Sequence, residues 1–194
     1  LEQAGSNYTK AVAKLDIIAN KLYNSAVTKY QGQDFEGALT TSLECAELKE
    51  KMGKSFPKAY YIAVLASAAL EKHAETIKYI DMLLETPFAD AENGPNLYQR
   101  KAMAERNLGR LEESLKTIKK GRKAFPESKD LYTIEADHYL FTGQDEKAFS
   151  TINGLIEQEP NNPLFHALLG DLYGKLAEGE KNEDKQHEMM LKGI

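Results

Sequence analysis

The sequence has little of several residue types that would indicate particular chemistries. It has no tryptophan, six prolines and a single cysteine, Cys45, in 194 residues. One cysteine excludes an intramolecular disulfide, and because Cys45 lies in an apolar helical pattern, we expect a buried thiol. No apolar run approaches the roughly 20 residues that a membrane-spanning helix needs. The four histidines share no common spacing and indicate no metal site.

Two short patterns suggest enzymatic chemistry, and each is incomplete. Glu135 and His138 lie one helical turn apart, as in di-iron bundles, but no second such pair exists, so a solvated helix face is predicted. The segment from Gly170 to Lys175 has three residues between its glycines where a phosphate loop needs four, and it lies inside a helical pattern. The sequence therefore predicts a protein without catalytic activity, cofactor or metal ion.

The charge balance argues for a folded protein that does not bind nucleic acid. Charged residues make up 28% of the chain and hydrophobic residues 42%, and the net charge is −5. One stretch, from Arg100 to Lys123, is strongly basic, with nine Lys or Arg against three Glu. Four lysines of this stretch share one helix face, and we predict that they form a solvated outer surface: Lys116, Lys119, Lys120 and Lys123.

The compartment is left open by the sequence. The chain begins at Leu1 and has no signal peptide. We expect a trimmed or mature form that is either cytoplasmic or exported after removal of a targeting segment.

The most informative feature is an internal repeat of 34 residues. Leu97 matches Leu131 and then Phe165, and Ala102 matches Ala136 and then Gly170. Further matches at the same shift are Tyr98 with Tyr132, Gly109 with Gly143, Ile118 with Ile152, Pro126 with Pro160, and Tyr139 with Tyr173. A fixed period of this length is typical of stacked helix pairs, in which no unit buries its apolar face alone. Small residues should then meet where paired helices approach: Ala102 opposite Ser114, and Ala136 opposite Ala148.

Helical periodicity extends the repeat to the whole chain. A long first helix should run from about Ser6 to Tyr30, with an apolar stripe of Ala11, Leu15, Ile18, Leu22, Ala26 and Tyr30. The following helices should begin near Asp34, after Pro57, before Ile77, at Pro95 and near Leu111. A longer turn is predicted from Lys175 to Lys185, and a last helix from Glu183 to Leu191. A final helix without a polar cap should be followed by a further repeat or pack against another protein surface.

These residues resemble the tetratricopeptide repeat (TPR) family, whose pattern of aromatic, small, glycine, small, apolar and proline positions recurs in two units. Glu105 and Asp145 depart from it, because each stands where the family has an aromatic residue. The resemblance implies an all-α, right-handed solenoid of about five antiparallel helix pairs. A single array would cover residues 1–194, with approximate repeats at 8–53, 57–87, 95–126, 129–160 and 163–194.

The resemblance also implies a concave groove, lined by the first helix of each pair, that binds a protein or peptide. The groove positions would be Tyr60, Tyr61, Val64, Gln99, Arg100, Met103, Arg106, Thr133, Asp137, Phe141, Asp171 and Lys175. Arg100 and Arg106 would favour an acidic partner. The family's co-chaperone carboxylate clamp is not predicted, because only Arg100 fits among the clamp positions, which hold Tyr23, Val27, Tyr61, Asn96 and Arg100 here.

Two functions follow from this resemblance. The chain could be an interaction scaffold that holds a partner segment in its groove. Alternatively, it could be a structural spacer or assembly module of a longer chain or complex, with the groove filled by a neighbour.

Overall fold

The computed structural model describes residues 2–179 and positions 183, 184 and 188; side chains are described from Lys10 onward. The described chain contains helices and turns but no strands. The helices are α1 (Glu2–Gln31), α2 (Phe35–Lys51), α3 (Pro57–Ala69), α4 (His73–Leu84), α5 (Gly94–Asn107), α6 (Leu111–Ala124), α7 (Lys129–Phe141), α8 (Asp145–Gln158) and α9 (Pro163–Gly179). The helices that the sequence predicts as far as Pro160 are therefore present.

Local sequence signals set four of the helix starts in the described chain. Asp34 precedes α2, and its carboxylate accepts a hydrogen bond of 2.9 Å from the Gly37 amide, which satisfies one of the amides that the helix leaves unpaired. Pro57, Pro95 and Pro163 lie in the first turns of α3, α5 and α9, where a missing amide proton costs nothing.

The predictions for the two ends of the chain need correction. The first helix begins at Glu2, earlier than the predicted Ser6. At the other end, α9 continues to Gly179, so the turn predicted from Lys175 is wrong over 175–179. The hydrogen bonds of a helix already begun favour extending it through charged residues that form helix well. Most of the last predicted helix lies outside the described residues.

The chain divides into two compact units, Leu1–Ser114 and Leu115–Ile194, with the boundary inside α6. Whether residues 1–194 form one array, with the repeat limits given above, stays a prediction.

The first unit is built around small and aliphatic side chains from α1 to α5. Its larger cluster contains Ala26, Ala38, Leu39, Ile62, Ala63, Val64, Ala66, Tyr79, Ile80, Leu83 and Leu97. A smaller cluster contains Ala19, Cys45, Ala46 and Ala59. Cys45 is fully buried, as predicted, and its thiol lies 3.1 Å from the Ala19 carbonyl oxygen. Burial raises the pKa of this thiol, which favours its protonated, less nucleophilic form.

A buried lysine joins α1 to α2. Lys49 is 5% exposed, and its ammonium donates hydrogen bonds to Asp16 (2.8 Å) and Asn20 (2.9 Å). It also lies 4.8 Å from the centre of the Phe56 ring. Lys54 approaches the same Asp16 oxygen at 3.0 Å. Because each of these charges has a partner, the ion pair and hydrogen bonds offset the desolvation penalty of burying the lysine.

The second unit has a cluster of α7, α8 and α9 residues. Ala136 and Tyr139 meet Ala148, Ile152 and Leu172, with Leu115 of α6 packed against them. Ala136 and Ala148 are both buried, which confirms the predicted small-residue contact. The corresponding contact in the first unit is also confirmed, since the Ser114 hydroxyl donates a hydrogen bond of 2.9 Å to the Ala102 carbonyl.

The turn between paired helices is the same in four places. Gln33, Glu71, Gly109 and Gly143 have left-handed backbones, with φ of 62°, 56°, 74° and 68°. The amide of the next residue donates to a carbonyl five positions earlier, for example from Arg110 to Glu105 and from Gln144 to Tyr139. This is the Schellman arrangement that ends a helix. The turns are 38, 38 and 34 residues apart, which explains why a constant shift of 34 finds only the later repeats.

The predicted stripe on α1 is only partly buried. Ala26 is fully buried and Tyr30 packs against the core. Leu15 and Ile18, however, are 38% and 48% exposed. The stripe that the sequence indicates is therefore buried only toward its C-terminal end. Periodicity shows which residues share a face, but neighbouring helices decide which part of the face is covered.

Candidate binding faces

The α5 face consists of Asn96, Gln99, Arg100, Met103 and Arg106, which follow one another at steps of three, one, three and three residues. Such residues project from one side of a helix. Leu97, Tyr98 and Ala102 lie on the opposite side and are buried. Met103 is 43% exposed, while Gln99, Arg100 and Arg106 are partly exposed. The α5 face therefore presents cationic and apolar atoms together.

Arg100 is held in place by its own helix. Its Nε donates a hydrogen bond of 2.8 Å to the Asn96 Oδ1. The Tyr61 hydroxyl of α3 donates to the same oxygen over a longer 3.4 Å. In the part of the chain that the structure describes, Arg100 makes no ion pair. A half-buried guanidinium that is oriented by an amide and carries further N–H donors suits a carboxylate ligand.

The groove residues predicted on α3 do not all reach solvent. Val64 is fully buried in the core of the first unit, so its assignment to a groove is wrong. Tyr60 packs against both clusters of that unit, and its hydroxyl donates a hydrogen bond of 2.6 Å to Glu50. Burial and this hydrogen bond raise the pKa of the Tyr60 phenol. Tyr61 lies beside the α5 face, with its ring 5.3 Å from that of Phe88.

The α7–α9 face of the second unit consists of Thr133, Asp137, Phe141, Asp171 and Lys175. Phe141 is 62% exposed, and Asp171 and Lys175 are exposed as well. Lys175 lies 3.6 Å from the Asp137 carboxylate. The Thr133 hydroxyl donates to the Lys129 carbonyl of its own helix. The charges of this face are thus partly neutralised within the unit, unlike Arg100.

The predicted solvated face at Glu135 and His138 is wrong. Glu135 is 3% exposed and His138 is 2% exposed. Glu135 pairs with Arg122, and it accepts a hydrogen bond of 3.2 Å from the Tyr139 hydroxyl. The Arg122 guanidinium also covers the Tyr132 ring at 3.7 Å. An ion pair with an aromatic cover makes it possible to bury polar residues that the sequence pattern placed outside.

Two further expectations concern the departures from the pattern and the basic stretch. Glu105, which replaces an aromatic residue, is 5% exposed, and Lys101 lies 3.8 Å from its carboxylate. The predicted outer lysines are confirmed as exposed: Lys116, Lys119, Lys120 and Lys123.

In the described part of the chain, no helix is both long and apolar enough to cross a bilayer.

The fold is that of the tetratricopeptide repeat proteins, as comparison with solved structures shows. YrrB, a TPR protein with an unusual peptide-binding site, matches with a TM-score of 0.62 and 19% identity, over 96% of this chain and 90% of YrrB. TTC0263, a thermophilic TPR protein of Thermus thermophilus, matches with a TM-score of 0.56 and 17% identity, over 90% of this chain and 89% of that protein. The MamA protein matches with a TM-score of 0.65 and 14% identity, over 90% of this chain and 89% of MamA.

These likenesses confirm the all-α repeat fold that the sequence pattern predicted. At such identities they show the fold alone. No protein-family model matches the sequence, and no curated protein matches it either.

Proposed function

We propose that the chain is a non-enzymatic protein-interaction scaffold, and that its α5 face binds an acidic segment of a partner protein. The observation that carries the proposal is the Arg100 guanidinium. It is half-buried, oriented by Asn96, and without an ion pair among the described residues. The fold supports the general role, because helix-repeat proteins use such faces to hold peptides. YrrB, which shares the fold, has a peptide-binding site.

The chemistry of the face defines the ligand. A carboxylate from Asp, Glu or a chain terminus would form charge-assisted hydrogen bonds with Arg100. Met103, which is 43% exposed, and the half-buried Tyr61 offer apolar surface near Arg100. The ligand would therefore combine an acidic group with an apolar neighbour. If the chain is instead a structural spacer or assembly module, replacing Arg100 should not change the affinity for an acidic segment.

The test uses affinity capture from the native source, identification of the bound protein, and titration of its binding segment with purified variants. Arg100→Ala should weaken binding by about 1–3 kcal/mol, the value of a hydrogen bond to a charged group. Arg100→Lys should recover only part of this loss, because an ammonium lacks the planar fork of donors. Unchanged thermal unfolding of both variants would show that the fold is intact.

Two controls come from the same chain. Arg110→Ala removes an arginine that lies 3.7 Å from Glu113, so its loss should not affect the partner. The triple variant Lys116→Ala, Lys119→Ala and Lys120→Ala tests the exposed outer face. Lost affinity in the triple variant with full affinity in Arg100→Ala would show that the partner uses the outer face, and the proposal would fail.

A further inference from the structure

A second surface lies on α1, where part of the apolar stripe remains uncovered. Ala11, Leu15, Ile18 and Leu22 recur at steps of four, three and four residues. Leu15 and Ile18 are 38% and 48% exposed, Ala11 is exposed and Leu22 is half-buried. Leu15 and Ile18 belong to none of the core clusters given above. We call these four residues the α1 seam.

The seam has the spacing of a helix-packing surface. Apolar residues at alternating steps of three and four stay aligned along a helix that packs against another helix. Ala11 at one end allows close approach, while the branched side chains of Leu15 and Ile18 can insert between residues of a neighbour. A stripe of this kind is one residue wide and runs along the helix axis.

Positive charge borders the seam on its solvent side. Lys14 and Lys21 each immediately precede a seam residue, and their seven-residue separation places them on one side, about 10 Å apart. Both are exposed, and neither makes an ion pair among the residues whose side chains are described. The nearby Asp16 is already paired with Lys49 and Lys54, on the side that faces α2. The border of the seam is therefore basic.

We propose that the α1 seam docks an amphipathic helix of a partner protein, with Asp or Glu side chains facing Lys14 and Lys21. Charge complementarity selects this occupant, since opposite charges beside an apolar seam determine partner choice in paired helices. A lipid surface fits less well. Membrane-surface helices turn a broad apolar face outward, whereas the outward side of α1 carries Lys10, Lys14 and Lys21 around one large exposed apolar residue, Ile17 (56% exposed).

The probes are two synthetic helical peptides with the same leucine seam, one flanked by glutamates and the other by lysines. Binding to the full chain is followed by fluorescence anisotropy. We expect the glutamate peptide to bind at least about fivefold more tightly, from two exposed charge pairs. In the Lys14→Glu, Lys21→Glu variant the preference should reverse. The Leu15→Gln, Ile18→Gln variant should bind neither peptide.

Met82→Gln supplies the matched control, because Met82 is a similarly exposed apolar residue on α4, at 36%. It should bind both peptides as the parent does. Equal binding of the two peptides by the parent, or no binding of either, would overturn the proposal.

Two other occupants would also overturn it. If ultracentrifugation shows a dimer that the Leu15→Gln, Ile18→Gln variant dissociates, the seam is covered by a second copy of this chain. If phosphatidylserine–phosphatidylcholine vesicles bind the parent protein but not this variant, and neither peptide binds, the seam is a lipid contact.

Discussion

The turns at residues 33 and 71 and those at residues 109 and 143 have the same backbone but different residues. Gly109 and Gly143 follow the repeat pattern, with φ of 74° and 68°. Gln33 and Glu71 reach 62° and 56° although a side chain makes this region unfavourable, by about 1–2 kcal/mol. The helix pairing around them outweighs this cost. A repeat can therefore persist in structure where its sequence pattern has faded.

The comparison also explains where the sequence pattern is easy to read. From Gly109 onward the glycines, the small residues and the prolines keep one period. Before that, the period is 38 residues and the positive-φ position holds Gln33 or Glu71 instead of glycine. The later turns follow local sequence preference, whereas at the earlier turns helix packing has to outweigh an unfavourable backbone conformation.

The largest effect is expected at the small-residue contact of the later repeats. Ala136→Leu should lower the free energy of unfolding by about 1–3 kcal/mol, because the contact with Ala148 has no space for three more carbons. Denaturant unfolding measures the difference. Ala167→Leu is the matched control, since Ala167 is exposed on α9. If Ala136→Leu were as stable as the parent, the pairing of α7 with α8 would be wrong.

The turns themselves should respond in opposite directions. Glu71→Gly should stabilise the protein by about 1 kcal/mol, because glycine adopts positive φ without steric cost. Gly143→Ala should destabilise it by about the same amount. Glu71→Ala distinguishes the effect of the backbone conformation from that of losing the Glu71 side chain. Alanine keeps the unfavourable φ, so this variant should change stability little. A stabilisation by Glu71→Ala equal to that by Glu71→Gly would contradict the backbone explanation.

The smallest effect concerns pH and the first unit. Hydrogen bonds from Lys49 and Lys54 lower the pKa of Asp16. Its ionised form therefore favours the folded state above the ordinary aspartate pKa, and this contribution is lost as pH falls through the lowered value. Asp16→Asn should make the urea midpoint less dependent on pH in the acidic range. Asp171→Asn, at an exposed position of the second unit, should leave the dependence unchanged, and an equal change in both variants would remove the role given to Asp16.

Within the candidate faces, helical spacing in the sequence indicates only the local contacts. Asn96 and Arg100 lie four residues apart on one helix, and their side chains meet as helical spacing requires. The contact of Tyr61 with Asn96 spans 35 residues and depends on how α3 meets α5. Val64 failed for the same reason, because neighbouring helices cover its side of α3. No local pattern shows that cover.

Buried charge was the second source of error. Glu135 and His138 look like surface residues in the sequence, since acids and histidines are seldom fully buried without a partner. The partner of Glu135 is Arg122, thirteen residues earlier and on another helix. Glu105 shows that the sequence can indicate a buried charge. It is an acid at a position where the repeat pattern has an aromatic core residue.

The sequence by itself determined the helices, their pairing and the small residues at which α7 meets α8, because these depend on period, propensity and turn residues within about 40 positions. Only the tertiary structure decided which stripes are covered and which charges are paired. Leu15 and Ile18 share a face with Ala26, yet they stay exposed while Ala26 is fully buried. Burial and ion pairing depend on side chains from other helices, and the order of residues along one helix does not contain that information.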